Sequence, residues 1–455
     1  MDKAINTLLS IKKIFISSCD LNKYIKLFRK IWINQQFENN NTLLHFACIN
    51  NNIELIKLLL SHPQIDVNMK NNDGKTPIFY VKSIEAYTLL CEDERININI
   101  RTKENDTLLH IHIDEPNDIL RPILKRKDLN PNILNDDGKA PIHLVNYIDT
   151  LGLLLQHENI NVNIQDSDGK TALHHVKDAD QYKLLLNNKS IDVNIPNNKG
   201  KTPIFYGNHI LLGFLIKHPK LDVNWQDRDG RTALFKSNYY ETDVLMDHPN
   251  INPNIQDDDG NTVFHYDVHY RKIKRILDHP MANPNIRNKK GLFPLIDHNT
   301  EKIYILLEDN RIDLNNQTFD GNTFLHYCDD PYSLAILLEK SELDPNIQNN
   351  NGETALHKCN RRKLMELMKR KDIDVNIQDN NGNTPLHLYD DCTMINTILR
   401  NPNINPNIKN NSGFTAYDLA LSQRNFMKAR IIQMDSKYQK RNIIEFNNDY
   451  VFFDT

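Results

Sequence analysis

Apolar residues along this chain fall into two alternating kinds of cluster. One is short, such as Leu173 with Val176 or Leu356 with Cys359, and the other is denser, such as Leu184-Leu185-Leu186 or Ile336-Leu337-Leu338. Residues three apart share one face of a helix, so the short cluster predicts a first helix with a single apolar side. The dense run predicts a second helix, the more buried of the pair. A segment such as Asp192-Val193-Asn194-Ile195 follows it, and its β-branched residues suit extended backbone leaving that helix. Polar stretches rich in Asn, Asp and Gly separate one pair from the next.

The pairs return at a fixed period. Before each first helix stands a phrase whose fullest form is Gly382-Asn383-Thr384-Pro385-Leu386-His387, and its glycine slot falls at 40, 74, 105, 138, 169, 200, 230, 260, 291, 321, 352, 382 and 413. Successive slots are 30 to 34 residues apart, nearly always 30 or 31. A second comb keeps step with the first: Asn68, Asn99, Asn132, Asn163, Asn194, Asn224, Asn254, Asn285, Asn315, Asn346, Asn376 and Asn407. Such a period marks one supersecondary unit per repeat, stacked so that neighbours bury what a lone unit exposes. Glycine supplies a positive φ for a tight turn, Thr caps the helix, and Pro at the first helical position loses no hydrogen bond. The predicted fold is an all-α solenoid of about thirteen stacked helix-turn-helix-hairpin repeats over residues 40–435. Residues 1–39 are read as an amphipathic helical cap and 436–455 as a carboxyl-terminal tail.

These residues resemble the ankyrin repeat, whose signature is a Gly-x-Thr-Pro-Leu-His turn, a second helix ending in Leu-Leu, and an Asp-Val-Asn segment. The first repeat follows it throughout: Thr42-Leu43-Leu44-His45-Phe46-Ala47-Cys48, then Ile53-Glu54-Leu55-Ile56-Lys57-Leu58-Leu59-Leu60, then Asp66-Val67-Asn68. The resemblance implies a non-enzymatic scaffold that binds other proteins. It also implies that His45, His110, His143, His174, His265, His326, His357 and His387, which share one repeat slot, hydrogen-bond the neighbouring hairpin backbone. Phe79, Phe205, Phe235 and Ile296 take that slot elsewhere, and the bond is expected to be missing there. Most repeats are also short. The first runs from Thr42 to Leu58, whereas the fifth runs only from Thr171 to Leu184, three residues fewer. Only the first, third and last repeats are expected to keep full-length helical pairs, and a shorter inner helix would move contact surface toward the hairpin tips.

Composition narrows the function. The chain has 455 residues and a formal net charge of -4, which gives no global attraction to nucleic acid. Its apolar runs fall far below the roughly 20 residues of a membrane span. Lys12 and Lys13 interrupt the amino-terminal apolar stretch, so no secretory signal is read there. Six cysteines without a Cys-x-x-Cys pair suit a reducing compartment, so a cytoplasmic monomer is expected, with the nucleus also open. No cofactor or metal is expected. Gly74-Lys75-Thr76 and its counterparts lack the first glycine of a phosphate loop, and Asp257-Asp258-Asp259-Gly260 has Ile255 where a calcium loop needs its first ligand. His110-Ile111-His112 and His174-His175 lack a second pair of zinc ligands, and Cys328 and Cys359 read as packing. His62, His218, His248 and His279 precede Pro after the second helix, where a cation or donor suits the helix end.

Specificity has to reside where repeats differ. Lys139, Lys170, Lys201 and Arg231 follow the slot glycine in four successive units and form a candidate basic edge. Asp137, Asp168 and Asp229 lie two residues earlier in three of these tips and read equally as local neutralisation. Trp225 replaces the usual Ile after the comb Asn, as an interface anchor or as filler for a local gap. Asp20-Leu21 through Phe28-Arg29-Lys30-Ile31-Trp32 resembles the closing part of an F-box, which would make the chain a ubiquitin-ligase substrate adaptor. The Leu-Pro opening of that motif is absent. The abundance of Asn and Ile is similar to that of ankyrin proteins carried by large DNA viruses of amoebae, which implies host proteins as partners.

Overall fold

The structure is a computed structural model describing residues 33–114, 117–266, 269–296 and 300–435. The expected cap helices, the F-box-like stretch and the tail lie outside the described residues. The chain divides into two compact units, Met1–Asp222 and Val223–Thr455. Each is a stack of helical repeats, and among the described residues there is no strand.

All thirteen slot positions adopt the left-handed conformation. Eleven are glycines, with φ from 69° at Gly138 to 82° at Gly413, and the other two are Asn40 at 60° and Asn105 at 59°. Asn is the side chain that best tolerates this region. Close approach adds to the demand for glycine: a Cβ on Gly321 would sit 2.7 Å from the Asn350 backbone nitrogen of the next tip. The expected extended hairpin proves to be two successive turns. In the fifth repeat the tip closes through Asp166 N donating to Lys170 O at 2.8 Å and Gly169 N to Asp166 O at 2.9 Å.

The first repeat holds Leu43–Ile49 and Ile53–Leu60, and the last holds Ala416–Ser422 and Phe426–Gln433. Between them the first helix shrinks to about one turn, as in Ala172–His175 and Pro385–Leu388, or to a 3-10 turn such as Pro203–Phe205. The third repeat, expected to be full length, has only Leu108–His112. The second helix stays near two turns and carries the core through residues such as Leu55, Ile56 and Leu59 or Leu334 and Leu337.

The asparagine comb is a ladder of paired hydrogen bonds. Asn163 Nδ2 donates to Ser190 O at 2.7 Å while its Oδ1 accepts Asp192 N at 2.8 Å. In the second unit Asn254 does the same with Met281 O at 2.6 Å and Asn283 N at 2.8 Å. One side chain thus satisfies a donor and an acceptor of the following repeat's turn, which explains why Asn alone recurs there.

Short first helices leave carboxyl-terminal carbonyls without helical partners. Fully buried lysines of the next repeat's second helix supply donors in the second unit. Lys272 Nζ donates to Ser237 O at 2.8 Å and Phe235 O at 3.2 Å, Lys363 Nζ to His326 O at 3.1 Å, and Lys428 Nζ to His387 O at 2.7 Å. Their stems pack among apolar groups while the ammonium caps the helix end. The second helices are capped differently. Arg126 reaches back to Cys91 O, Asp93 O and Ile96 O, and Arg370 to Leu338 O, Lys340 O and Leu343 O. Where the sequence suggested a cation or donor at the histidines before Pro, His62 Nδ1 accepts Gln64 N at 3.2 Å and His248 Nδ1 accepts Asn250 N at 3.2 Å.

Candidate interaction surface

Each slot histidine spans two repeats. Its Nδ1 accepts the backbone N–H at its own helix start, as Thr171 N does to His174 at 3.0 Å, and its Nε2 meets a carbonyl of the next repeat. Seven of these carbonyls belong to the residue after the next slot: Lys75 for His45, Lys139 for His110, Lys201 for His174, Leu292 for His265, Glu353 for His326, Asn383 for His357 and Phe414 for His387. His143 instead meets Ile164 O at 2.9 Å. Burial lowers the pKa of all eight rings, and that of His174 falls to about 4. Where Phe79 and Phe205 fill the slot, Thr76 Oγ1 and Thr202 Oγ1 are buried without a partner among the described residues.

Of the candidate basic edge in the first unit, Lys170 Nζ lies 2.9 Å from Asp168 Oδ2, and the backbone carbonyls of Lys139 and Lys201 take the histidine bonds just described. In the second unit Arg231 Nε lies 3.6 Å from Asp257 Oδ2, and its guanidinium sits 5.3 Å from the centre of the Tyr266 ring. Trp225 is half-buried. Among the described residues no group of three His, Cys, Asp or Glu side chains is placed to hold a metal ion, and no helix is long and apolar enough to cross a membrane. Cys328 and Cys359 are buried, and burial raises both thiols, that of Cys328 to about 12.

Each unit also presents large apolar groups to solvent. Ile84, Ile148 and Ile210 in the first unit and Tyr240, Tyr270 and Tyr332 in the second lie at the first or second position of second helices, and all are exposed. Shortened first helices leave these helix starts uncovered. In the second unit the rings gather: Tyr239 and Tyr240 have centroids 3.8 Å apart, Tyr239 and His269 stack at 5.6 Å, and His269 and Tyr270 at 4.6 Å. Arg271 lies 5.5 Å from the Tyr239 ring centre and 5.8 Å from that of Tyr270. Tyr332 is 76% exposed, a large apolar surface with no evident role in holding the fold. These positions carry a signal in the sequence, since Tyr240 and Tyr270 stand one period apart.

Repeats joined by turn, histidine and asparagine bonds define a helical-repeat protein. The family description "Ankyrin repeats (3 copies)" matches residues 11–102. A putative ankyrin repeat protein of Rickettsia bellii (strain RML369-C) is 36% identical over 77 residues, covering 17% of this chain and 79% of that protein. The chain belongs to the ankyrin repeat proteins. It is also 43% identical over 61 residues, 13% of its length, to SMC5-SMC6 complex localization factor protein 1 of Bos taurus, and spans only 6% of that protein. Among solved structures it is similar to EF0377, an ankyrin repeat protein, with TM-score 0.34, 21% identity and coverage of 36% of this chain and 92% of that one. For the ankyrin repeat domain of Bcl-3 the TM-score is 0.35, the identity 17%, and the coverage 52% and 99%.

Proposed function

We propose that this chain is a non-enzymatic scaffold that binds a protein partner through the exposed second-helix starts, with Tyr239, Tyr240, Tyr270, Arg271 and Tyr332 at the centre of the contact. The observation that carries this reading is the aromatic cluster around Arg271. Tyrosine and arginine supply contact area at low entropic cost and are the side chains most often found at energetic centres of interfaces. Ankyrin repeats generally mediate protein–protein interaction, and the composition shared with ankyrin proteins of amoebal DNA viruses supports a host protein, met in the cytoplasm, as the partner.

The test compares two full-length variants in affinity capture from host cells and then in titrations with the purified partner. Combined Tyr240→Ser, Tyr270→Ser and Tyr332→Ser is expected to abolish capture with an unchanged melting curve. Combined Lys139→Ala, Lys170→Ala and Lys201→Ala is expected to retain it. Loss of the partner only in the lysine variant would return the contact to the tips.

A further inference from the structure

In the first unit a cavity stands where an imidazole takes the place of a guanidinium. One offset of 31 residues carries Arg126 onto His157, Leu129 onto Ile160 and Asn132 onto Asn163. Arg126 takes three carbonyls of the preceding repeat, and its Nε lies 2.7 Å from Asp128 Oδ1. His157 is buried, yet its Nε2 meets a single carbonyl, Arg126 O, at 3.5 Å. With this shorter side chain, a cavity of about 340 Å³ opens at the ends of helices Asn117–Leu124 and Ile148–Leu155, lined by Arg121, Leu124, Lys125, Leu153, Gln156 and His157.

The lining combines cations and donors with two leucines. None of the six residues is a carboxylate, and neither Arg121 nor Lys125 pairs with one among the described residues. The two stand four apart on one helix, where like charges repel. Asp128 is held by Arg126, and Glu158, though exposed, does not line the cavity. Asn159 N donates to His157 Nδ1 at 3.2 Å, which leaves the proton of the neutral ring on Nε2. Helix carboxyl ends ordinarily repel anions. Four of the carbonyls here are occupied, however: Lys125 N donates to Arg121 O at 3.1 Å, Arg126 N to Ile123 O at 3.2 Å, Gln156 N to Leu153 O at 3.2 Å and His157 N to Leu154 O at 3.1 Å. The side chains then present a guanidinium, an ammonium, an amide and an imidazole N–H.

We propose that this cavity binds a small soluble phosphate ester. Two cations match the charge of roughly −1.5 to −2 that a phosphate monoester carries near pH 7, more than a carboxylate brings. The fork of Arg121 suits two phosphate oxygens, and Leu124 and Leu153 give the organic group an apolar wall. The volume falls within the roughly 300–1,000 Å³ of small-molecule sites, which favours a soluble ester over a membrane surface. The site does not depend on the protein contact proposed above, whose centre lies in the other compact unit.

Calorimetric titration of the full chain with phenyl phosphate, and with inorganic phosphate and benzoate beside it, tests this. Phenyl phosphate is expected to saturate one site per chain and to bind more tightly than either of the others. Arg121→Gln and Lys125→Gln should each weaken it at least about tenfold, the loss of one charged hydrogen bond. Neither should lower the melting temperature, because each removes a like-charge repulsion. Lys127→Gln, which removes an exposed cation outside the cavity, should change the affinity by less than about twofold at physiological salt. Absence of a saturable site overturns the proposal, as does an equal loss with Lys127→Gln, the mark of diffuse attraction to a basic surface. Benzoate binding as tightly as phenyl phosphate would also overturn it, and so would binding to phosphatidylglycerol vesicles alone, which would assign these cations to a membrane.

Discussion

Lys272 shows how a residue that looks misplaced in sequence is required by a neighbour's geometry. It is 2% exposed, its ammonium is committed to Ser237 O and Phe235 O, and burial pushes its pKa down to about 8. Lys272→Met strands two buried carbonyls and should cost about 1–3 kcal/mol in urea melts. The pH dependence follows from linkage. Between about 8 and the usual 10.5 the folded chain binds fewer protons at this site than the unfolded chain, so stability rises with pH across that window. Lys272→Met should remove its share of the rise, measured by urea melts at pH 7.5, 9 and 10. The converse case is Phe79, whose slot leaves Thr76 Oγ1 unpaired. Phe79→His should restore the bond to the Thr76 helix start and raise stability by about 1 kcal/mol in thermal melts.

At the scale of the repeat, the histidine joint sets the response to acid. All eight slot rings have pKa values lowered by burial, with His174 near 4, against 6.5 in the unfolded chain. The unfolded chain therefore binds more protons below pH 6.5, and stability falls as pH drops from there toward the folded values. Urea midpoints at pH 7, 6 and 5 should decline steadily, and His357→Gln should make the decline shallower. A midpoint flat from pH 7 to 5 would refute neutral, bonded rings. The slot was legible in the sequence because Thr and His recur three apart beside a slot glycine, while the bond to the next repeat was what the resemblance to ankyrin repeats implied. The buried lysines were not, since Lys272, Lys363 and Lys428 look like ordinary solvated positions until a helix of the preceding repeat is seen to end beneath each one. The third repeat was misjudged for a related reason. Its extra length between Thr107 and the second helix did not go into the first helix, which stops at His112.

At the scale of the molecule, stability accumulates from neighbour to neighbour. The hydrogen bonds described between repeats join residues no closer than His143 and Ile164, 21 positions apart, and no farther than Lys428 and His387, 41 apart. Phe79 and Lys272 lie in different compact units. A stack of this kind behaves as a sum of repeat and interface terms, so a change at one joint is felt by adjacent repeats and fades beyond them. The gain from Phe79→His and the loss from Lys272→Met should then add within about 0.3–0.5 kcal/mol in the double variant. Hydrogen exchange gives the sharper readout. Lys272→Met should speed exchange in helices Ala233–Lys236 and Tyr270–Leu277 while Leu43–Ile49 and Ile53–Leu60 keep wild-type rates. If the amino-terminal helices loosened to the same degree, the chain would unfold as one cooperative body. The period in the sequence would then describe its construction without describing its energetics.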